Sequence, residues 1–217
     1  MSTPKAVGAE TGDGDPLALA LFGLTVVSGL IDAVSYLGLG RVFAANMTGN
    51  VVVIGFGLAG APGFSVLGST TALAAFLLGA ALAGRLTAGR LRPALVAEGG
   101  LHLAAAAVVF AVGTGAVGAD GALQYGVIGL LALAMGLRSA TVRSLGVPDL
   151  TTTVLTMTLT GLAAEPRSPR RRRRVLAALA MLAGVVPGAV LVLHRQTGWA
   201  LVAAAALTGA TAALHRD

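Results

Sequence analysis

GLIDAVSYLGLGRVFAANMTGNVVVIG, residues Gly29 to Gly55, is the stretch on which the reading of this chain turns. It begins apolar, carries an acid at Asp32, and runs into a polar cluster, Asn46-Met47-Thr48-Gly49-Asn50. A degenerate copy, GLRSATVRSLGVPDLTTTVLTMTLTGL, extends from Gly136 to Leu162, about half a chain later. Together they predict the two halves of one polar site inside a membrane.

Composition sets the class. With 56% hydrophobic and 11% charged residues, a soluble domain of 217 residues would have too little polar surface to cover itself. The mean hydropathy of +0.86 agrees, and the expected partner is the lipid bilayer. Zero cysteines exclude a disulfide framework and Cys-ligated metal or thiol chemistry. The formal charge of +6 is also compatible with nucleic acid, but only six Phe, two Tyr and one Trp are available for base stacking. A membrane-orientation signal explains the charge more economically, so no nucleic acid is expected.

Residues 1–15 are polar, Gly-rich and acidic, and read as a disordered tail rather than a signal peptide. The apolar run from Pro16 to about Leu39 is long enough, at 1.5 Å per residue, to cross a core of about 30 Å. A shorter segment follows from about Ala44 to Ala61, stopped by Pro62-Gly63. Further crossings are expected over Val66–Gly84 and Gly99–Val117. The second half repeats the order: Ala122–Leu145, a short Leu150–Ala164, Val175–Leu193 and Trp199–Leu214. Landmarks recur at nearly constant offset, including Gly29 with Gly136 and Gly79 with Gly188, which marks a duplication of residues 16–118 in 119–217.

Arginine counting arbitrates whether the short segments cross. If all eight segments span, the 15 basic residues divide eight to seven between the two sides, which is no bias. If the two short ones dip in and return, 13 lie inside and only Arg41 and Arg195 outside. Three crossings per half is an odd number, so the copies must run in opposite directions, as in many transporters. The expected fold is therefore an all-α polytopic membrane protein. It has six transmembrane helices plus two short re-entrant or half-span helices, built as an inverted internal repeat, with both termini cytoplasmic.

The polar residues nominate the site. Asn46 and Asn50 share one helical face, as do Thr152, Thr156 and Thr160, and at an offset of 106 the asparagines fall on Thr152 and Thr156. The plainer reading is that threonine hydroxyls bond the preceding turn and asparagines bond a neighbouring helix. Asp32 is the carboxylate expected well inside a span, where an ionised group costs several kcal/mol. It reads either as a proton or cation site or as a helix clamp with Ser35, Tyr36 or re-entrant backbone. Arg138 is the tempting partner, but inversion puts Asp32 about 6 Å outward and Arg138 about 7 Å inward of their span centres. Arg138 is expected to snorkel to the cytoplasm or to meet Asp149.

The rows Ala75, Gly79, Ala83 and Ala180, Gly184, Gly188 predict a close contact between the second crossing of each half, Val66–Gly84 and Val175–Leu193. Gly-rich faces of this kind permit a homo-oligomer without requiring one. The block Arg170 to Arg174 reads as a solvated topogenic loop, and second as a site for anionic lipid headgroups. His102, His194 and His215 make no metal spacing, and no G-x-S-x-G, HExxH, P-loop or dinucleotide fingerprint is present. No cofactor is expected, and no residue invites an enzymatic reaction.

The runs GLIDAVSYLGLGRVFAANMTGN and GLRSATVRSLGVPDLTTTVLTMTLTGL, with the segment pattern over residues 17–214, resemble the YoaK family, domain of unknown function 1275. The resemblance implies a bacterial inner-membrane protein of several helices and implies no activity. Where members of that family often read LTGT, this chain has Leu155-Thr156-Met157-Thr158. The functional expectation is a small-solute or ion transporter or channel. Asp32, Tyr36, Asn46, Thr48, Asn50, Arg138, Asp149, Thr152 and Thr156 would surround its unidentified solute. The competing expectation is a membrane structural or partner-binding protein whose polar groups only lock helices together.

Overall fold

The computed structural model describes residues 16–87, 90–118, 121–145, 155–165, 168 and 171–214. Among the described residues the chain is helical, with no strand: α1 (Pro16–Gly38), α2 (Met47–Leu58), α3 (Val66–Leu86), α4 (Leu91–Val112), α5 (Thr114–Gly118), α6 (Ala122–Ser144), α7 (Leu155–Ala164), α8 (Arg171–Leu193) and α9 (Thr197–Leu214). Six of these, α1, α3, α4, α6, α8 and α9, are long and apolar enough to cross a membrane. The 12 residues of α2 and 10 of α7 reach about 18 and 15 Å, roughly half of such a core.

Two boundaries differ from expectation. α4 begins at Leu91 rather than Gly99, because Pro93 falls in the first turn, where a missing N–H costs nothing. Its end is set by Gly113, whose φ of +82° breaks the chain before α5. α8 begins at Arg171, so most of the arginine block is its first turn and not a loop, with Arg173 and Arg174 buried.

The distribution of side chains is that of a protein solvated by lipid. Leu77, Leu78, Leu179, Leu182 and Val186 point outward, while Ser28, Asp32, Ser35, Glu98, His102 and Arg138 are inside. α1 and α6 are the most enclosed of the six long helices, α9 comes next, and α3, α4 and α8 turn most of their surface outward.

The expected contact between the second crossings of the two halves, α3 and α8, is not how the bundle is built. Instead α3 packs along α6 and α8 along α1, so each half lends a helix to the other. The small residues serve these crossings. A Cβ on Gly79 would strike the carbonyl oxygen of Leu133 and lie 3.0 Å from Leu137 N; on Gly184 it would strike that of Val26 and lie 2.9 Å from Leu30 N. Gly136 likewise abuts the Phe76 carbonyl, and Gly29 abuts that of Met181. These contacts map onto one another if α1 and α6 correspond at an offset of 107 and α3 and α8 at 105. Gly79 is therefore matched by Gly184, not by Gly188.

Contacts along the helices also give their directions. Arg138 in α6 reaches Leu24 and Ser28 in α1, while Gly40, just after α1, lies against Gln124 at the start of α6. The two run antiparallel. α1 and α8 run parallel, with Val26 beside Gly184 and Gly38 beside Val192. α3 and α6 are also parallel, with Gly79 beside Leu133 and Thr87 beside Thr141. The ends of α3 and α6 and the starts of α4 and α8 therefore share one end of the bundle, which carries Arg85, Arg90, Arg92, Arg143 and Arg171 to Arg174. Arg41 and Arg195, which follow α1 and α8, share the other end. Both hold φ of +58°, the left-handed conformation that ends a helix.

Candidate functional site

The most charged place inside the bundle lies between α1, α4 and α6. Arg138, 1% exposed, donates from Nη1 to Glu98 Oε1 at 3.0 Å and to the Leu24 carbonyl at 3.1 Å, and from Nη2 to Ser28 Oγ. α1 and α6 touch little directly, so this one side chain is a bridge between corresponding helices of the two halves. Glu98 has no exposed surface, and neither does His102, four residues on and on the same face of α4. Among the described residues, Glu98 Oε2 and both ring nitrogens of His102 have no hydrogen-bond partner. Buried polar atoms are nearly always paired, by protein, water or ligand; other unpartnered ones occur singly, as at Ser69, Gln124 and Thr208, but Glu98 and His102 bring three together within about one turn of α4.

The sequence reading passed over Glu98 by starting the third crossing of the first half at Gly99, one residue after it. It also sent Arg138 to the cytoplasmic surface or to Asp149, whereas the structure buries its side chain in the bundle. The usable signal was depth. Glu98 is seven residues from the start of α4 and Arg138 six from the end of α6, so both lie about 10 Å from the same end of the bundle. The i,i+4 spacing of Glu98 and His102 was a second clue.

Asp32 has different work. Its Oδ1 accepts from Ala45 N at 2.8 Å, and Ser35 Oγ accepts from Ala44 N at 3.1 Å. Asn50, fully buried, closes a ring with Phe43 by accepting from its N at 2.9 Å and donating Nδ2 to its O at 2.6 Å. Tyr36 stacks on Phe43 with ring centroids 4.7 Å apart. Three side chains thus satisfy the non-helical backbone that enters α2, which is what such backbone needs inside a bilayer. Asn46 caps α2 by accepting from Gly49 N at 3.2 Å and is exposed, as is Thr48.

The structure does not bring the two predicted stripes together. The loop entering α2 is held by the end of α1, and α2 packs on the start of α3, where Gly57 abuts Val66, while α7 packs on the start of α8, where Gly161 abuts the Arg174 guanidinium. Because α1 and α8 are parallel, these are opposite ends of the bundle. Thr156 and Thr160 are exposed, Thr160 bonding the Thr156 carbonyl at 2.9 Å, and Thr158 is the buried threonine of α7. Asp149 and Thr152 lie outside the described residues.

Six long apolar helices enclosing a charged cluster define a polytopic α-helical membrane protein. The family model described as protein of unknown function, DUF1275, matches residues 20–214, and the chain belongs to that family. It is similar to the UPF0700 transmembrane protein YoaK of Bacillus subtilis (strain 168), with 31% identity over 147 residues, 64% of this chain. The match spans 62% of that relative's length. No solved structure matches.

Proposed function

We propose that the protein is a small-solute or ion transporter, not an enzyme, whose working site is the Glu98, His102 and Arg138 cluster rather than the ground between α2 and α7. The observation that carries this reading is the set of unpartnered, fully buried polar atoms on Glu98 and His102, beside an arginine that ties α1 to α6. A purely structural ion pair leaves no reason for a carboxylate oxygen and an imidazole to stay unsatisfied. A site that takes up and releases a proton, an ion or a small polar solute does. Antiparallel corresponding helices, with half-length helices at opposite ends, support alternating access between two related arrangements.

The arginine-rich end is assigned to the cytoplasm by the positive-inside rule, which places both termini inside, in a bacterial inner (plasma) membrane. The competing reading, a structural or partner-binding membrane protein, is favoured by Asp32, Ser35 and Asn50, all occupied with holding a loop. Liposomes carrying the reconstituted protein and an internal pH dye, screened against small solutes, separate the two. Glu98→Gln and His102→Asn are expected to abolish the solute-driven proton flux of the wild type, and Asp32→Asn to retain it. A flux that survives both cluster substitutions refutes the site, and a wild type silent to all solutes favours the structural reading.

A further inference from the structure

Between α1 and α8, on the lipid-facing side, lies an open groove of about 610 Å³ lined by Leu19, Phe22, Arg172, Leu176, Leu179 and Ala183. We infer that it is the seat of one anionic phospholipid, its headgroup at Arg172 and one acyl chain laid along the groove. Three observations lead there. The lining is apolar except at its mouth, where Arg172 follows Arg171 in the first turn of α8, both exposed, and the positive end of the helix dipole adds to their charge. From Arg172 to Ala183 is 11 residues, or about 16 Å, which matches one leaflet of a core about 30 Å thick. The groove also has a closed inner end, because Gly29 and Gly184 bring the two backbones together just beyond it.

Arginines 173 and 174 do not share this role. They are buried, and Arg174 is paired with Glu165 Oε2 at 2.9 Å beneath α7. The block is thus divided: Arg172 lines the groove mouth, while Arg174 lies against α7. Arginine at a membrane surface attracts anionic lipid by about 1 kcal/mol each, or roughly fivefold. An ordinary boundary lipid would gain from any arginine at this end. A seated one depends on the groove.

Native mass spectrometry of the full chain released from nanodiscs of mixed phosphatidylglycerol and phosphatidylcholine tests this. The wild type is expected to retain one phosphatidylglycerol in preference to phosphatidylcholine. Arg172→Gln is expected to lower that preference about fivefold. Ala183→Phe, which fills the groove from an exposed position, should remove the retained lipid, and Arg85→Gln, at the same end but away from the groove, should change nothing. Equal retention of the two lipids, equal effects of Arg85→Gln and Arg172→Gln, or full retention by Ala183→Phe would each overturn the assignment. None of these outcomes depends on whether the protein transports anything.

Discussion

Placing alanine at Gly79 and at Gly184 tests the architecture where it is tightest. In each case the new Cβ would fall on a backbone carbonyl of the neighbouring helix, Leu133 for Gly79 and Val26 for Gly184. A carbonyl of a regular helix has no rotamer in which to retreat, so the helices themselves must separate. Overpacking of this kind costs about 1–3 kcal/mol. Set against it is the intrinsic gain of alanine over glycine in a helix, up to about 1 kcal/mol. Gly84, in α3 with nothing within 4 Å of its would-be Cβ, isolates that gain. The stability difference between Gly79→Ala and Gly84→Ala is therefore the overpacking cost alone, about 1–3 kcal/mol. Gly184→Ala should show the same difference, because its surroundings copy those of Gly79. Gly188→Ala should be milder, since its Cβ would meet the Leu30 carbonyl at 3.0 Å and the Ala33 methyl at 3.1 Å. Thermal loss of the monodisperse peak in detergent ranks all four. If Gly79→Ala and Gly184→Ala melt no lower than Gly84→Ala, the α3–α6 and α1–α8 crossings are wrong.

Arg138→Met and Glu98→Gln should each destabilise the fold by about 3–5 kcal/mol, because each strands a buried partner. The double replacement Glu98→Met with Arg138→Met should cost less than the sum of the single Met variants in the same melting assay; strict additivity would contradict the pair. Asp32→Ala should leave Ala45 N–H without its acceptor at a cost of about 1–3 kcal/mol and raise hydrogen exchange at residues 43–46, while Asp32→Asn keeps an acceptor and should not. Exchange at those amides that is unchanged in Asp32→Ala would remove the loop-holding role. Because the chain has no cysteine, single cysteines at Arg41 and Arg195 should react with a membrane-impermeant maleimide from outside intact cells, and those at Arg85 and Arg171 only after lysis. Labelling of all four from one side would rule out the assigned topology.

What could be read in advance, and what could not, follows from what each feature depends on. Span length depends on local composition alone, so the run from Pro16 and the one from Ala122 were legible almost to the residue. The segment after Arg41 was legible differently: read over about Ala44 to Ala61 it was nearly long enough to span, and the arginine count made it a half-span, which the structure shortens to the 12 residues of α2. Helix partnership is different, since a small-xxx-small row declares that some backbone approaches without saying whose. The matching rows in α3 and α8 suggested mutual contact, yet each was serving a helix of the other half, Gly79 against α6 and Gly184 against α1. Asn50 and Asp32 were rightly singled out as polar groups in an apolar setting, but the same signal arises from a site and from a staple, and hydrogen-bond partners decide between them. Glu98 was lost because the expected start at Gly99 fell eight residues late: the basic stretch with Arg90 and Arg92 read as lying between crossings, whereas α4 already begins at Leu91 with Pro93 in its first turn. Restoring it changes the functional argument, because a carboxylate and an arginine at one depth in an inverted repeat can meet only if antiparallel helices turn the right faces to each other. Here they do, and they meet where α1, α4 and α6 converge, with a glutamate oxygen and an imidazole left unpaired.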